Sequence, residues 1–128
     1  MPYDAVVKHF ANAEASTFPT TLIAIAGGEC LGTVSIVEND LKLRKDLTPW
    51  LASLYTKPKY RGRGVAKALI DKALEVTRGL GYTKLYLRTE DASDYYRKRG
   101  WTHLETVSDE RHDHIDVFYK NVREYDTD

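Results

Sequence analysis

The chain has 128 residues, and its 19 basic and 19 acidic side chains give a formal net charge of zero. This length predicts a single domain over residues 1–128, and a hydrophobic fraction of 42% is typical of a globular protein rather than a disordered one. A neutral chain is a poor match for a nucleic-acid binder or a membrane-surface protein, because both classes usually carry a basic surplus.

A single cysteine, Cys30, excludes an intrachain disulfide, and we therefore expect a reducing, cytoplasmic location. No apolar run approaches the length needed to span a membrane. The first residues, MPYDAVVKHF, lack the charged-then-apolar pattern of a signal peptide. Cys30 follows a Gly-Gly turn and is more typical of a small buried residue than of a nucleophile.

The N-terminal part predicts a helix followed by a hairpin. In YDAVVKHFANAEA, Val6, Phe10 and Ala13 recur at a spacing that places them on one helical face. Two β-rich runs follow, at 20–26 and 30–38, and a Gly-Gly pair separates them. This arrangement predicts an antiparallel β-hairpin.

The central part predicts a strand–helix–strand unit. Residues 39–49 are polar and predict a loop, and residues 50–57 predict a strand that a proline stops. From Gly64 to Leu80, apolar residues recur at helical spacing, and glycines end the pattern. Residues 83–89 predict the next strand. We expect the two strands to be parallel, with a right-handed connection.

The C-terminal part predicts a short helix over residues 92–100 and two closing strands, at 101–108 and 114–122. The predicted order is α-β-β-β-α-β-α-β-β, with antiparallel pairing outside the central unit. This order predicts a mixed α/β (α+β) domain built on one central sheet.

A basic turn joins the central strand to its helix in KPKYRGRGVAKALI. Helix N-termini carry unpaired N–H groups and the positive end of the helix dipole, and glycines let a phosphate approach the backbone. The turn therefore predicts a diphosphate site, with a solvated basic loop as the alternative. A Walker loop and a dinucleotide fingerprint both match poorly. Two glycines lie among five basic residues, with no acid before Asp71: Lys57, Lys59, Arg61, Arg63 and Lys67.

Two segments carry a resemblance to a known family. YRGRGVAKALI resembles the acyl-CoA pyrophosphate loop of the GNAT superfamily of N-acetyltransferases, whose conserved pattern is met by Arg61, Gly64 and Ala66. The preceding LASLYTKPKY is similar to the family's coenzyme-contacting strand. Downstream, DYYRKRGW resembles its second signature, an aromatic residue and a tyrosine followed by a glycine and another aromatic. The resemblance covers roughly residues 20–121.

The resemblance implies the GNAT acyl-CoA N-acyltransferase fold. The family usually begins with an additional strand and helix, and this chain has only a few residues ahead of its first predicted helix. We therefore expect a version of the fold that can lack the first strand and helix.

The resemblance also implies an acetyl-CoA-dependent N-acetyltransferase, in which an amine attacks the thioester directly. It implies that Tyr96 is the general acid, and we expect the neighbouring Tyr95 to point away from the cleft. The base is less determined. Glu90 is our candidate because it follows a parallel strand, and Asp91, Glu38 and Asp46 remain alternatives.

The coenzyme, acetyl-CoA, is implied to bind in two stretches. The backbone of Leu54, Tyr55 and Thr56 would pair with the pantetheine arm. The pyrophosphate would lie against the turn and the helix start: Arg61, Gly62, Arg63, Gly64, Val65, Ala66 and Lys67.

Several partners stay open at this stage. The acceptor is a small-molecule amine or a peptide or protein amine, and the chain is a monomer or a homodimer. We expect no metal, because His112 and His114 alone are weak evidence for a metal site. The alternative function is a non-catalytic acyl-CoA-binding or regulatory domain of the same fold, against which Tyr96 argues.

Overall fold

The structure, a computed structural model, describes residues 6–11, for which only the backbone is considered, and residues 19–122. Neither helix in these ranges is long and apolar enough to cross a membrane. Short 3-10 turns lie at Lys42–Arg44 and Pro58–Tyr60. The described residues form seven strands and two α-helices: β1 Val6–Ala11, β2 Thr20–Ala26, β3 Glu29–Val37, β4 Trp50–Thr56, α1 Val65–Gly79, β5 Lys84–Thr89, α2 Ser93–Lys98, β6 Thr102–Val107 and β7 Ile115–Asn121.

The seven strands form one mixed sheet in the order β1-β2-β3-β4-β5-β7-β6. Only β4 and β5 are parallel, and every other neighbouring pair is antiparallel. This confirms the predicted fold class and the parallel central pair. The last strand, β7, lies between β5 and β6, so the two edges of the sheet are β1 and β6.

The helix predicted at the N-terminus is wrong over residues 6–11. These residues form β1, which pairs along its whole length with β2, from Val6 opposite Ile25 to Ala11 opposite Thr20. The helical spacing included Ala13, which lies outside the described residues. Tertiary pairing prevails here because β2 offers a free edge and consecutive valines favour a pleated strand. The sheet therefore contains the first strand that we expected it could lack, and residues 12–18, where the following helix would be, lie outside the described residues.

The parallel pair β4–β5 separates soon after it begins. The two strands share one ladder pair, Trp50 opposite Tyr86, within the described residues. On its other edge β4 has a bulge, because the register with β3 shifts between Thr33 and Ser35. At the bulge, Ser53 has φ +56°, in the left-handed region. A bulge bends and twists its strand, so the carboxyl half of β4 diverges from β5.

The helices and the loop 39–49 cover opposite faces of the sheet. Leu69 and Ala73 of α1 are buried in a large apolar cluster that also contains Leu85. Side chains alternate between faces along a strand, and Tyr86 packs instead with Trp50 in a second, smaller cluster. The two clusters therefore lie on opposite faces of the sheet.

Gly32 lets β3, β4 and α1 approach one another closely. A Cβ atom at this position would lie 2.5 Å from the Tyr55 carbonyl oxygen, 3.2 Å from the Thr56 Cα and 3.2 Å from a Val65 methyl group. Two of these atoms belong to the backbone and cannot rotate away. Glycine at position 32 therefore sets the place of the β4 end relative to the start of α1.

We predict that Gly32→Ala lowers the free energy of unfolding by about 1–3 kcal/mol, because the added methyl group overpacks this contact. Gly79→Ala is the matched control. Gly79 ends α1 and a Cβ there meets nothing within 4 Å, so its replacement should stabilise the chain by about 0.4–1 kcal/mol. Chemical denaturation measures both values. Equal stability of the two variants would contradict the role assigned to Gly32.

Candidate functional site

A cleft of about 540 Å³ lies beside the gap between β4 and β5. Its walls are the end of β4, the turn after it, the first turn of α1 and part of α2 and its flanking residues. Arg63 lies in the same turn but does not line the cleft. Nine of the ten residues predicted to hold the coenzyme line it: Leu54, Tyr55, Thr56, Arg61, Gly62, Gly64, Val65, Ala66 and Lys67.

The end of β4 presents one backbone edge to the cleft. On its other edge it pairs with β3, with Tyr55 opposite Thr33 and Thr56 opposite Gly32. No strand in the described ranges pairs with residues 54–56 on the cleft side. Such an edge can bind an extended, amide-bearing molecule as an added strand. The Arg61 Nε donates to the Thr56 carbonyl at 3.1 Å and ties the turn to the strand.

The start of α1 is an uncapped helix N-terminus at the cleft. Gly62 and Gly64 have φ +78° and +85°, which residues with a Cβ atom rarely adopt. Gly64 is the N-cap, no side chain caps the first turn, and that turn contains no acidic residue. The first N–H groups of α1 are therefore available to a ligand. Together with the helix dipole they favour an anion.

The basic cluster seen in the sequence is partly neutralised in space. Glu29 of β3 accepts a hydrogen bond from the Tyr60 hydroxyl at 2.6 Å and pairs with Lys59 at 3.2 Å and Lys57 at 3.7 Å. The Tyr60 hydrogen bond first, and then Lys59, hold the pKa of Glu29 below its usual value. Lys67 pairs with Asp71 at 2.7 Å. The site therefore relies on backbone N–H groups more than the sequence indicates.

Tyr96 of α2 presents its phenol to the cleft from an aromatic setting. Its ring packs edge-on against Tyr95 and Trp101, with centroids 5.1 and 5.9 Å away. The Tyr96 hydroxyl makes no hydrogen bond within the described part of the chain. Burial, and then the nearby Tyr95 and Asp91, raise the pKa of Tyr96 to about 12. The phenol therefore keeps its proton at neutral pH and is free to donate.

Tyr95 also lines the cleft, so the expectation that it points away is wrong. The Arg99 guanidinium lies 3.7 Å from the Tyr95 ring centroid and lines the cleft as well. Helix α2 ends at Lys98, one residue before Arg99. Tyr95, Tyr96 and Arg99 all line the same cleft. Sequence reasoning missed Arg99, although its spacing of four residues from Tyr95 was a usable signal.

Glu90 does not line this cleft. Its carboxylate lies 2.7 Å from His112 Nε2, and His112 Nδ1 lies 3.1 Å from Asp109. His112 lines a second cavity, of about 790 Å³, together with Arg88. Because Arg88 is two residues from Tyr86 and next to Leu87 on β5, this cavity lies on the face of the sheet away from α1.

Glu90 itself lines neither cavity, and the other acidic candidates also lie outside both. Asp46 pairs with Arg44 at 2.9 Å, while Glu38 and Asp91 are exposed. The two histidines considered for a metal have separate partners, since His114 pairs with Asp116. Among residues 19–122, no three His, Cys, Asp or Glu side chains are grouped as a metal ion requires.

Comparison with known proteins gives one family and one fold. The family model for the acetyltransferase (GNAT) family matches residues 2–101. No curated protein matches the sequence.

Several solved structures resemble this chain. An aminoglycoside 6'-N-acetyltransferase complexed with coenzyme A superposes with a TM-score of 0.68 at 13% identity, over 81% of this chain and 73% of that one. A GCN5-related N-acetyltransferase from Rhodopseudomonas palustris gives 0.69 at 19% identity, over 94% and 98%. A spermidine N-acetyltransferase chimera from Vibrio cholerae and hSSAT gives 0.67 at 19%, over 84% and 69%. These identities show a shared fold.

We predict that Gly64→Trp weakens binding of coenzyme A by at least about tenfold, because a side chain at this N-cap strains the turn and obstructs the first N–H groups. Lys59→Ala is the control and should have a mild effect, since Lys59 is already paired with Glu29. Isothermal calorimetry on both folded variants measures this. Full affinity in Gly64→Trp would refute the assignment of the anion site.

Proposed function

The chain belongs to the GNAT acetyltransferase family, and from this membership we propose that it transfers the acetyl group of acetyl-CoA to a primary amine. One observation carries the proposal. A single cleft brings together a free β4 edge, the uncapped start of α1 and the protonated phenol of Tyr96. These are the groups that binding and cleavage of an acyl-CoA require.

The residues around the cleft fit acetyl-CoA. The N–H groups at the start of α1 would hold the pyrophosphate, and the β4 edge at residues 54–56 would hold the amides of the pantetheine arm. When bound, the coenzyme supplies an activated acetyl thioester. The fold shared with an aminoglycoside acetyltransferase solved with coenzyme A supports this choice of coenzyme.

We assign Tyr96 the role of general acid. Its hydroxyl has no partner in the described residues, and its pKa of about 12 keeps it protonated at any physiological pH. A raised pKa means that the protonated, donating form is present below pH 12 and is lost only above it. The phenol can therefore donate its proton to the sulfur that leaves the acetyl group throughout the physiological pH range. Its hydrogen bond would also stabilise the negative charge that develops on that sulfur.

We assign Glu90 the role of general base, with His112 beside it. An amine with a pKa of about 10.4 must lose a proton before it attacks. Glu90 follows β5 at the carboxyl end of the parallel pair, and its side chain is 44% exposed. His112 contacts it at 2.7 Å and lines the second cavity. The amine would then approach through that cavity, opposite the coenzyme.

The lining of the second cavity bears on the acceptor. It carries both signs of charge, so we expect an acceptor that pairs its amine with a carboxylate to be preferred over a polyamine. Three acidic and three basic side chains contribute: Asp40, Asp109, Glu110, Lys42, Arg88 and Arg111.

The position of Glu90 also favours the second candidate, a non-catalytic acyl-CoA-binding or regulatory domain. Glu90 is held by His112 and lies outside the coenzyme cleft. A domain that only binds an acyl-CoA needs the cleft but no base.

A screen of amines tests the function directly. The purified chain is incubated with acetyl-CoA and with amino acids, free peptide N-termini, lysine peptides, polyamines or aminoglycosides, and release of the free thiol is followed. We expect amine-dependent release above the amine-free rate, largest for acceptors that also carry a carboxylate. Coenzyme binding without release for any amine would favour the binding domain. A preference for polyamines would contradict the proposed acceptor cavity.

For the acid and the base, we predict that Tyr96→Phe and Glu90→Gln each lower kcat by about 10²-fold, because each removes one proton-transfer group. Tyr96→Phe should leave the alkaline side of the profile unchanged up to about pH 11, because a pKa of about 12 lies beyond it.

Tyr95→Phe is the matched control, because it removes a hydroxyl from the same cleft and keeps the ring on which Arg99 packs. Its kcat should stay near that of the unaltered chain. Melting temperature and affinity for coenzyme A should change little in all three variants. An unchanged kcat in Tyr96→Phe would remove the general acid from the mechanism and strengthen the second candidate.

A further inference from the structure

A buried carboxylate lies under α2. Asp116 of β7 is the one charged residue that is buried in the described ranges, and its side chain is 7% exposed. Its oxygens accept hydrogen bonds from the hydroxyls of Ser93 and, at 2.5 Å, Thr106. His103 and His114 lie at 3.3 and 3.1 Å. A buried charge persists only where it is paired in this way.

This network connects three elements to one carboxylate. Ser93 belongs to α2, Thr106 and His103 belong to β6, and Asp116 itself belongs to β7. Burial alone would raise the pKa of Asp116, but the hydrogen bonds, led by those from Ser93 and Thr106, outweigh it and hold the pKa well below its usual range. The carboxylate is therefore ionised and accepts hydrogen bonds at neutral pH.

Helix α2 needs such an anchor, because it has little stability of its own. It contains six residues, and no side chain caps its N-terminus. Isolated helices below about 12 residues are marginal in water. Ser93 occupies its first position and has turned its hydroxyl inward to Asp116. The first turn of α2 is thus held by a charge-assisted hydrogen bond to β7.

The anchored face of α2 is the face that carries Tyr96. Ser93 and Tyr96 are three residues apart and so lie on the same side of the helix. The Tyr96 ring contacts the ring of Phe118, with centroids 6.3 Å apart. The His103 ring packs edge-on against the same Phe118 at 5.4 Å. Two chains of contacts, one through Ser93 and one through His103 and Phe118, therefore run from Asp116 to Tyr96.

We propose that Asp116 is a positioning residue for the reaction: through Ser93 it holds α2 in the place where the Tyr96 hydroxyl can reach the leaving group. This inference rests on the proposed function for its effect on turnover. Its structural half, the anchoring of α2, can be measured without any turnover. No residue that Asp116 contacts lines the coenzyme cleft, so its loss should affect orientation rather than coenzyme binding.

The experiment removes and restores the hydroxyl that Asp116 binds. Ser93→Ala removes it, and Ser93→Thr keeps a hydroxyl at the same position. Asp94→Asn is the control, because Asp94 is the next residue in the first turn and its side chain is 91% exposed. For each variant, kcat, the KM for acetyl-CoA and the hydrogen exchange of the α2 amides are measured.

We expect Ser93→Ala to lower kcat about 10- to 100-fold, the loss typical of a catalytic group displaced by about 1 Å. KM for acetyl-CoA should stay within about twofold, Ser93→Thr should recover most of kcat, and Asp94→Asn should behave as the unaltered chain. In the Tyr96→Phe background, Ser93→Ala should cost less than about twofold more, because both changes act on one hydroxyl. In Ser93→Ala, hydrogen exchange of the backbone amides should become faster in α2 but not in α1.

Other outcomes overturn the inference. If the losses from Ser93→Ala and Tyr96→Phe multiply fully, Asp116 does not act through Tyr96. If the α2 amides of Ser93→Ala exchange hydrogen at the same rate as those of the unaltered chain, then the Ser93–Asp116 hydrogen bond does not anchor α2. A chain that acetylates no amine overturns the proposed function instead, and the exchange data then decide the anchor alone. Asp116→Asn, which replaces an accepting oxygen with a donor, should repeat the Ser93→Ala result if it folds.

Discussion

The separation of β4 from β5 is the constraint on which the rest of the site depends. The two strands share one ladder pair at Trp50 and Tyr86, and beyond it the bulge at Ser53 turns β4 away. A regular parallel pair would use both backbone edges of β4 within the sheet. Because the pair opens, the edge at residues 54–56 stays free and borders the cleft. The second cavity is lined by Arg88 of β5 and by residues 39–43 and 109–112, and it shares no residue with the cleft.

The candidate anion site offers backbone N–H groups beside its basic side chains. Glu29 pairs with Lys57 and Lys59, and Asp71 pairs with Lys67, so much of the basic charge is balanced before any ligand binds. Beside these pairs, the cleft keeps Arg61 and the uncapped start of α1 behind Gly64. Backbone N–H groups are fixed in direction, which long lysine side chains are not. Under the proposed function, this arrangement would let a chain with no net charge bind a phosphate.

The two helices are held on the sheet by different interactions. The longer helix, α1, buries an apolar stripe that includes Leu69 and Ala73, and this burial places it on the sheet. The shorter helix, α2, has no fully buried residue, and it is held by the Ser93–Asp116 hydrogen bond and the Tyr96 ring contacts. A local change at Asp116 therefore affects α2 more than it affects the coenzyme-binding half of the site.

Much of the fold, and the place of the glycine turn beside the cleft, was determined by the sequence itself. Hydrophobic periodicity placed α1, and the glycines marked its two ends and the β2–β3 hairpin, because these signals act within a few residues of chain. The resemblance of two segments to the GNAT family, rather than periodicity, pointed to nine residues that line the cleft. Tertiary structure alone decided which residues distant in sequence meet. Pairing with β2 made residues 6–11 a strand, Glu29 met two lysines, His112 met Glu90, and Asp116 met the Ser93 hydroxyl. Such contacts depend on the order of the strands in the sheet, and the hydrophobic periodicity of the sequence does not predict that order.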